Sequence, residues 1–253
     1  MKIKVISLKT AAERRQNIER QFGLIDTDFD FFDSVQPSQS LDHIKGYDEQ
    51  EFIVNCGRAA MNTEIACYAS HLALWRQCVD EGRPYLILGD DVRLDKSFLT
   101  GLLVTATKIQ KLGFIRVSLP DLKTSTLVDT LGPFDFHYCR RAPLLAPGYA
   151  LAPEAARHLV AKGSVVEEPV DKFLQRFWRF QQPVFAVVPP FVRLSDYADD
   201  SNICTRQRPD IDARTWLRRA ARKTQNAVSR AVYNATILSN LVHHHGRAGH
   251  DAQ

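Results

Sequence analysis

Tyr85-Leu-Ile-Leu-Gly-Asp-Asp-Val92 is the stretch from which the fold can be read. Its four leading apolar residues are too short a run for a buried helix and fit a central strand covered on both faces. The run ends abruptly at Gly89, Asp90 and Asp91. Ligands of α/β sheets bind beyond the carboxyl ends of the strands, and the two aspartates lie at such an end. Adjacent carboxylates beside a buried strand are costly unless something positive meets them. A divalent cation, Mn²⁺ or Mg²⁺, is one natural partner, because hard oxygen ligands suit it and it bridges to substrate phosphates. The other reading is a strand-to-loop transition with both aspartates in water. Gly89 leaves room for a ligand to approach the backbone.

Upstream, Asn62 or Thr63 is placed to cap a helix whose apolar residues Ile65, Tyr68, Leu72, Trp75 and Val79 recur every three or four positions. Gly82 and Pro84 end it. Glu64, Tyr68, His71 and Trp75 share one face, offering a carboxylate, a phenol and an imidazole to a sugar pocket. A half-buried amphipathic helix with a satisfied histidine accounts for the same pattern. Further upstream, Lys2 to Leu8 reads as a strand, and Thr10-Ala-Ala-Glu13 has capping-box spacing for a helix to about Phe22. The first strand–helix turn, Ser7-Leu8-Lys9-Thr10 with Arg14 or Arg15 nearby, is where such folds hold a nucleotide; a basic, solvated first helix is the rival. Residues 26–60 read as a long irregular excursion.

Downstream, the spacing predicts a helix over 97–112, a strand over 114–119, little periodicity over 120–147 and a strand over 148–152. Pro153 then opens a helix that stops at Gly163. Glu167-Glu-Pro-Val-Asp171 precedes a helix to about Gln181, and residues 183–188 form a last strand. This alternation predicts an α/β fold with a mostly parallel sheet. Arg193 to Asn202 is polar and reads as a donor lid or as a connector. Asp199-Asp200 within it is a rival metal pair with no strand leading into it.

A hydrophobic fraction of 45% and a charged fraction of 25% are ordinary for a globular chain. No run reaches the ~18 apolar residues of a spanning helix, and Met1 to Val5 does not read as a secretory signal. The five cysteines form no C-x-x-C pair, which argues against a zinc site and for reduced thiols in a cytoplasmic protein. The net charge of +4 is unevenly spread: residues 206–253 hold nine Arg/Lys against three Asp, leaving residues 1–205 at −2. The chain therefore divides into a catalytic body, 1–205, and a basic tail, 206–253. The body lacks aromatic–basic RNA motifs and is slightly negative, so nucleic acid is not an expected partner. From Thr215 onward the tail has the pattern of a basic amphipathic helix or helix pair. It would lie either on an anionic membrane surface or against the catalytic domain or a second subunit.

Four segments, in order, carry a resemblance to a known family: Val5-Ile-Ser-Leu8 with Glu13-Arg-Arg15; Thr63-Glu-Ile-Ala-Cys67 with Ser70-His71 and Trp75; Tyr85 to Val92; and Gly148-Tyr-Ala-Leu-Ala152 with Ala155-Ala156 and Pro169-Val-Asp171. Over about residues 1–200 the chain resembles glycosyltransferase family 25, the bacterial lipopolysaccharide and lipooligosaccharide glycosyltransferases. The resemblance implies a GT-A, Rossmann-like domain with a UDP-sugar donor. It implies transfer of galactose, most often in β linkage, to a saccharide on a lipid carrier. The family's acidic motif usually reads Glu-Asp-Asp; here it is Gly89-Asp90-Asp91, so donor choice or metal affinity is where this chain would differ. A glucosyltransferase, or a degenerate transferase that only binds, are the alternatives. In an inverting transfer the departing UDP needs a metal or cationic groups, which assigns Asp91 and Asp90 as metal ligands. Ser7, Leu8, Arg14, Arg15, Glu64 and His71 join them around the donor. The acceptor hydroxyl needs a carboxylate base: Asp171 first, with Glu168 and Glu167 behind it, although acids at a helix N-terminus are also favoured by the dipole alone. Such an enzyme is expected in the cytoplasm, peripheral on the inner membrane.

Overall fold

Tyr85–Leu88 is continuously apolar because both of its faces are covered: Tyr85 and Ile87 enter one buried cluster, Leu86 and Leu88 the other. The computed structural model describes residues 1–119, 122–195 and 212–248. The chain runs β1 (Lys2–Ser7), α1 (Ala12–Gly23), β2 (Asp30–Asp33), β3 (Gly46–Tyr47), α2 (Glu49–Cys56), α3 (Asn62–Glu81), β4 (Tyr85–Gly89), β5 (Val92–Leu94), α4 (Phe98–Leu112) and β6 (Phe114–Arg116). It continues with β7 (Ser125–Leu131), β8 (Phe134–Cys139), β9 (Gly148–Leu151), α5 (Pro153–Gly163), β10 (Val165–Val166), α6 (Val170–Gln175), α7 (Phe177–Phe180), β11 (Phe185–Val188), β12 (Val192–Leu194) and α8 (Ala213–Ala248).

Eight strands form one sheet in the order β2-β1-β4-β9-β6-β11-β8-β7. One face carries α3, α5, α6 and α7, with Trp75, Tyr149 and Phe173 buried beneath them. The other carries α1 and α4, with Phe22, Phe98 and Ile109. The result is an α/β sandwich, as the alternation requires. The sheet, however, is mixed rather than mostly parallel: β2-β1, β1-β4 and β6-β11 are parallel, whereas the other four neighbouring pairs are antiparallel. The cause lies in residues 120–147. Among the described residues no crossover α-helix joins β6 to β9 there; the chain builds the β7–β8 hairpin at the sheet edge, and β9 returns antiparallel between β4 and β6.

Local corrections have local causes. Helix α1 starts at Ala12 with no side-chain cap, so Thr10 does not act as the predicted capping residue. The excursion over 26–60 contains a short parallel strand, β2, and α2, whose Asp48 side chain accepts the Glu51 N–H at 2.9 Å. The segment after Asp171 is broken at Arg176 into α6 and α7. The tail forms one helix rather than a pair, and it docks on the body. Tyr233 packs on Phe177, Tyr138 donates to Asn234 at 2.7 Å, and Arg218 and Arg222 pair with Glu51 at 2.9 and 2.7 Å. The proposed domain boundary at 205/206 lies outside the described residues. Among those residues no helix is long and apolar enough to cross a membrane.

Candidate functional site

The parallel pairing of β1 with β4 sets Ile6 opposite Gly89, so the two strands end side by side. Everything that follows depends on that register. The Ser7–Leu8 turn and the Asp90–Asp91 pair emerge together at the carboxyl edge, the place where an α/β sheet leaves room for a ligand. A cavity of about 380 Å³ opens there, lined among others by Ser7, Leu8, Arg14, His71, Asp90, Asp91 and Asp171. Seven of the sequence-predicted residues thus meet in one hollow. A wider groove of about 940 Å³ runs between α8 and the body, but of the predicted residues it takes in only Glu167.

Within the cavity Asp90 is committed. It accepts a hydrogen bond from the Ser7 hydroxyl at 2.7 Å and pairs with the Arg14 guanidinium at 3.2 Å. Asp91 differs. Burial, with the neighbouring Asp90 charge, raises its carboxyl above the ordinary aspartate range. Its backbone carbonyl is held by the Ser195 N–H and hydroxyl, both at 2.8 Å. Gly89 decides where its carboxylate sits: a Cβ on residue 89 would stand 2.6 Å from Asp91 Oδ1. A side chain at 89 therefore requires Asp91 to point elsewhere.

Other walls come from distant segments. Ser70 accepts the Val35 N–H at 2.9 Å, fixing the wall of Val35 and Pro37. The Gly89 N–H donates to Pro147 at 3.0 Å, joining the Leu145–Pro147 wall to β4. Behind that wall the fully buried Arg116 donates to the carbonyls of Pro143 and Leu145. Burial lowers this guanidinium to about 10. Cys67 also lines the cavity, and burial, reinforced by Asp171 and Asp91, pushes its thiol up to about 12.

Four predicted residues lie outside the cavity. Glu64 is spent in a pair with Arg58 at 2.6 Å and in capping the Met61 N–H at 3.0 Å. Arg15 binds Asp33 and the carbonyls of Ser7 and Leu8, bracing the turn from behind. Glu168 is 1% exposed and bridges Arg176 and Arg179 at 2.9 and 2.8 Å. Glu167 pairs with Arg179 as well. Of the α3 stripe only His71 reaches the cavity, because the working face is Thr63–Cys67–His71, one position around from the face centred on Glu64. Residues 196–202 of the expected lid or connector, Asp199 and Asp200 among them, lie outside the described residues; Arg193 and Leu194 belong to β12, and Leu194 lines the cavity.

Among the described residues no three His, Cys, Asp or Glu side chains cluster as a ready metal cage. Mg²⁺ and Mn²⁺ do not require one, since one carboxylate with substrate phosphates and water suffices. Asp91 fits that description; Asp90 is already engaged by Arg14 and Ser7.

The sequence profile of glycosyltransferase family 25 (LPS biosynthesis protein) matches residues 1–174. A lacto-N-neotetraose biosynthesis glycosyltransferase, LgtB, of Neisseria meningitidis serogroup B is 32% identical over 73% of this chain and 72% of its own length. LgtE of the same organism is 40% identical over 36% of this chain, and the lipooligosaccharide biosynthesis protein lic2B of Haemophilus influenzae is 38% identical over 37%. These last two alignments span 32% and 34% of the relatives' own lengths, about a third. On the profile match and the long alignment together, the chain belongs to glycosyltransferase family 25.

Proposed function

We propose that this chain is a GT-A hexosyltransferase that moves galactose from UDP-galactose, with inversion, onto a lipid-linked saccharide of lipopolysaccharide or lipooligosaccharide. One observation carries the reading: Arg14, His71, Asp90, Asp91 and Asp171, drawn from four separate segments, converge on one cavity at the carboxyl ends of two parallel strands. The cavity offers a cation for a diphosphate, neutral groups for sugar hydroxyls and a carboxylate for proton transfer.

In the reaction an acceptor oxygen bonds to the anomeric carbon as the bond from that carbon to the diphosphate oxygen breaks, and the bonding pair leaves with UDP. Asp171 takes the proton of the acceptor hydroxyl. Arg14 stabilises the charge that gathers on the diphosphate, and Asp90 with Ser7 holds Arg14 toward it. A divalent cation bound through Asp91 and the substrate phosphates would neutralise the same leaving group. Gly89, by leaving Asp91 its place, sets where that charge is held.

The acceptor brings the enzyme to an anionic membrane surface, and α8 supplies the contact. Residues 213–248 contain no Asp or Glu. The helix docks by one face and leaves Leu217, Val228 and Val232 about 60% exposed on another. Arg214 and Lys223 lie on the same helix, and a second copy packed there would set cations against cations. The full chain should float with phosphatidylglycerol vesicles and not with phosphatidylcholine ones, and the triple change of Leu217, Val228 and Val232 to Glu should abolish flotation.

The activity itself is tested by UDP release from UDP-galactose and from UDP-glucose, with and without Mn²⁺, in the presence of truncated lipooligosaccharide acceptors. Acceptor-dependent release from UDP-galactose is expected. Turnover with UDP-glucose alone would reassign the donor, and release from neither would leave a degenerate transferase that only binds.

A further inference from the structure

Tyr149, on the central strand β9, is fully buried, and its hydroxyl has two neighbours, Trp75 Nε1 at 2.8 Å and His71 Nδ1 at 2.8 Å. An indole N–H can only donate, so the Tyr149 oxygen accepts from Trp75. The tyrosine's own hydrogen then has one acceptor within reach among the described residues, His71 Nδ1. Leaving that buried hydrogen unpaired would carry a desolvation penalty, so Nδ1 must stay bare. A neutral imidazole with a bare Nδ1 carries its hydrogen on Nε2. A doubly protonated ring would orphan the Tyr149 hydrogen. Burial acts in the same direction, lowering His71 to about 4. The ring lies in the cavity wall with Cys67, Asp91 and Asp171, and no group among the described residues bonds Nε2.

We propose that the Trp75–Tyr149–His71 relay locks His71 as an uncharged Nε2–H donor, which binds an acceptor oxygen of the nucleotide sugar in this cavity. The proposal rests on the nucleotide-sugar reading for its ligand, but not for its tautomer. A neutral donor suits a site that already holds three carboxylates and Arg14, because it adds direction without adding charge. It also explains why two aromatic residues remote from the ligand share one hydroxyl: they are positioning residues for His71.

Two measurements on the full chain test it. Long-range ¹H–¹⁵N spectra, with the His71 signal assigned by its loss in His71→Gln, should show Nε2 protonated and Nδ1 bare, unchanged between roughly pH 5.5 and 7.5. Tyr149→Phe should release the lock and mix the tautomers. Calorimetry then compares UDP with UDP-galactose. His71→Leu should weaken UDP-galactose about tenfold, the weight of one lost hydrogen bond, while His71→Gln, whose amide N–H stands where Nε2 stood, should recover most of the affinity. Loss with UDP-galactose alone places the bonded oxygen on the sugar; loss with UDP as well places it on the nucleotide. An Nδ1–H spectrum, or equal affinity of His71→Leu and wild type, overturns the proposal. Failure of the wild type to bind either ligand overturns the nucleotide-sugar reading and the ligand half with it, and the spectrum alone then decides the tautomer.

Discussion

Two acid-rich regions of this molecule look alike in sequence and behave in opposite ways. Asp90, Asp91 and Asp171 line a shared hollow, where Asp90 meets Arg14 and Ser7 and Asp171 accepts the Lys172 N–H. Glu167 and Glu168 sit a few residues before Asp171, yet both are consumed by Arg179, and Glu168 by Arg176 as well. Burial raises the Glu168 carboxyl even against those two cations, as expected when desolvation competes with pairing. The first region sets its charge around a cavity that a ligand can enter; the second uses charge to tie α6 and α7 together. What separates them is that the first lines an open cavity, whereas the second is closed against two arginines of the fold.

The comparison breaks most visibly at Asp171. Asp171→Asn should lower transfer from UDP-galactose by roughly 10²–10⁴-fold, the usual weight of a general base, with UDP affinity nearly unchanged by calorimetry. Wild-type turnover in that variant would return the base to another carboxylate. The structural acids should respond the other way round. Glu168→Ala leaves Arg176 and Arg179 facing a void and should cost about 3 kcal/mol in urea denaturation, while the variant that remains folded keeps its donor affinity. A loss of donor affinity without a loss of stability would move Glu168 into the site. The smallest effect belongs to the docked tail. Glu51→Gln removes the partner of Arg218 and Arg222, which is partly solvated, and should cost under ~1 kcal/mol and less still at high salt. The tail should stay seated through Tyr233 and Ile237; its release in that variant would show that the ion pairs, not the apolar contacts, hold it.

The residues named from sequence fared according to how local their signal was. The β4 strand and its terminal acids were legible because burial on both faces writes an unbroken apolar run and the chain must then leave the sheet. The α3 face was legible to within one residue, and the error mattered: centring it on Glu64 selected an acid that caps the helix and pairs with Arg58, while Thr63 and Cys67 went unread. Helix α2 had its signal in Asp48 and Glu51, a capping pair that can be recognised in the sequence. Nothing local marked Arg116, Leu145–Pro147 or Tyr149 as parts of the site, since each acts through a partner at least 27 residues away.

What the sequence determined by itself is a set of short-range choices: that the apolar runs of β1, β4, β6, β9 and β11 are strands, that α5 runs from Pro153 to Gly163, and that acids follow a buried strand. Those follow from periodicity, burial and capping, which operate within a few residues. What only the tertiary structure decided is pairing: the antiparallel return of β9, the meeting of Ser7 with Asp90, the diversion of Glu167 and Glu168 into arginine pairs and the hydroxyl shared by His71 and Trp75. A charge or a hydrogen bond is settled by whatever stands 3 Å away, and in this fold that neighbour comes from a distant part of the chain.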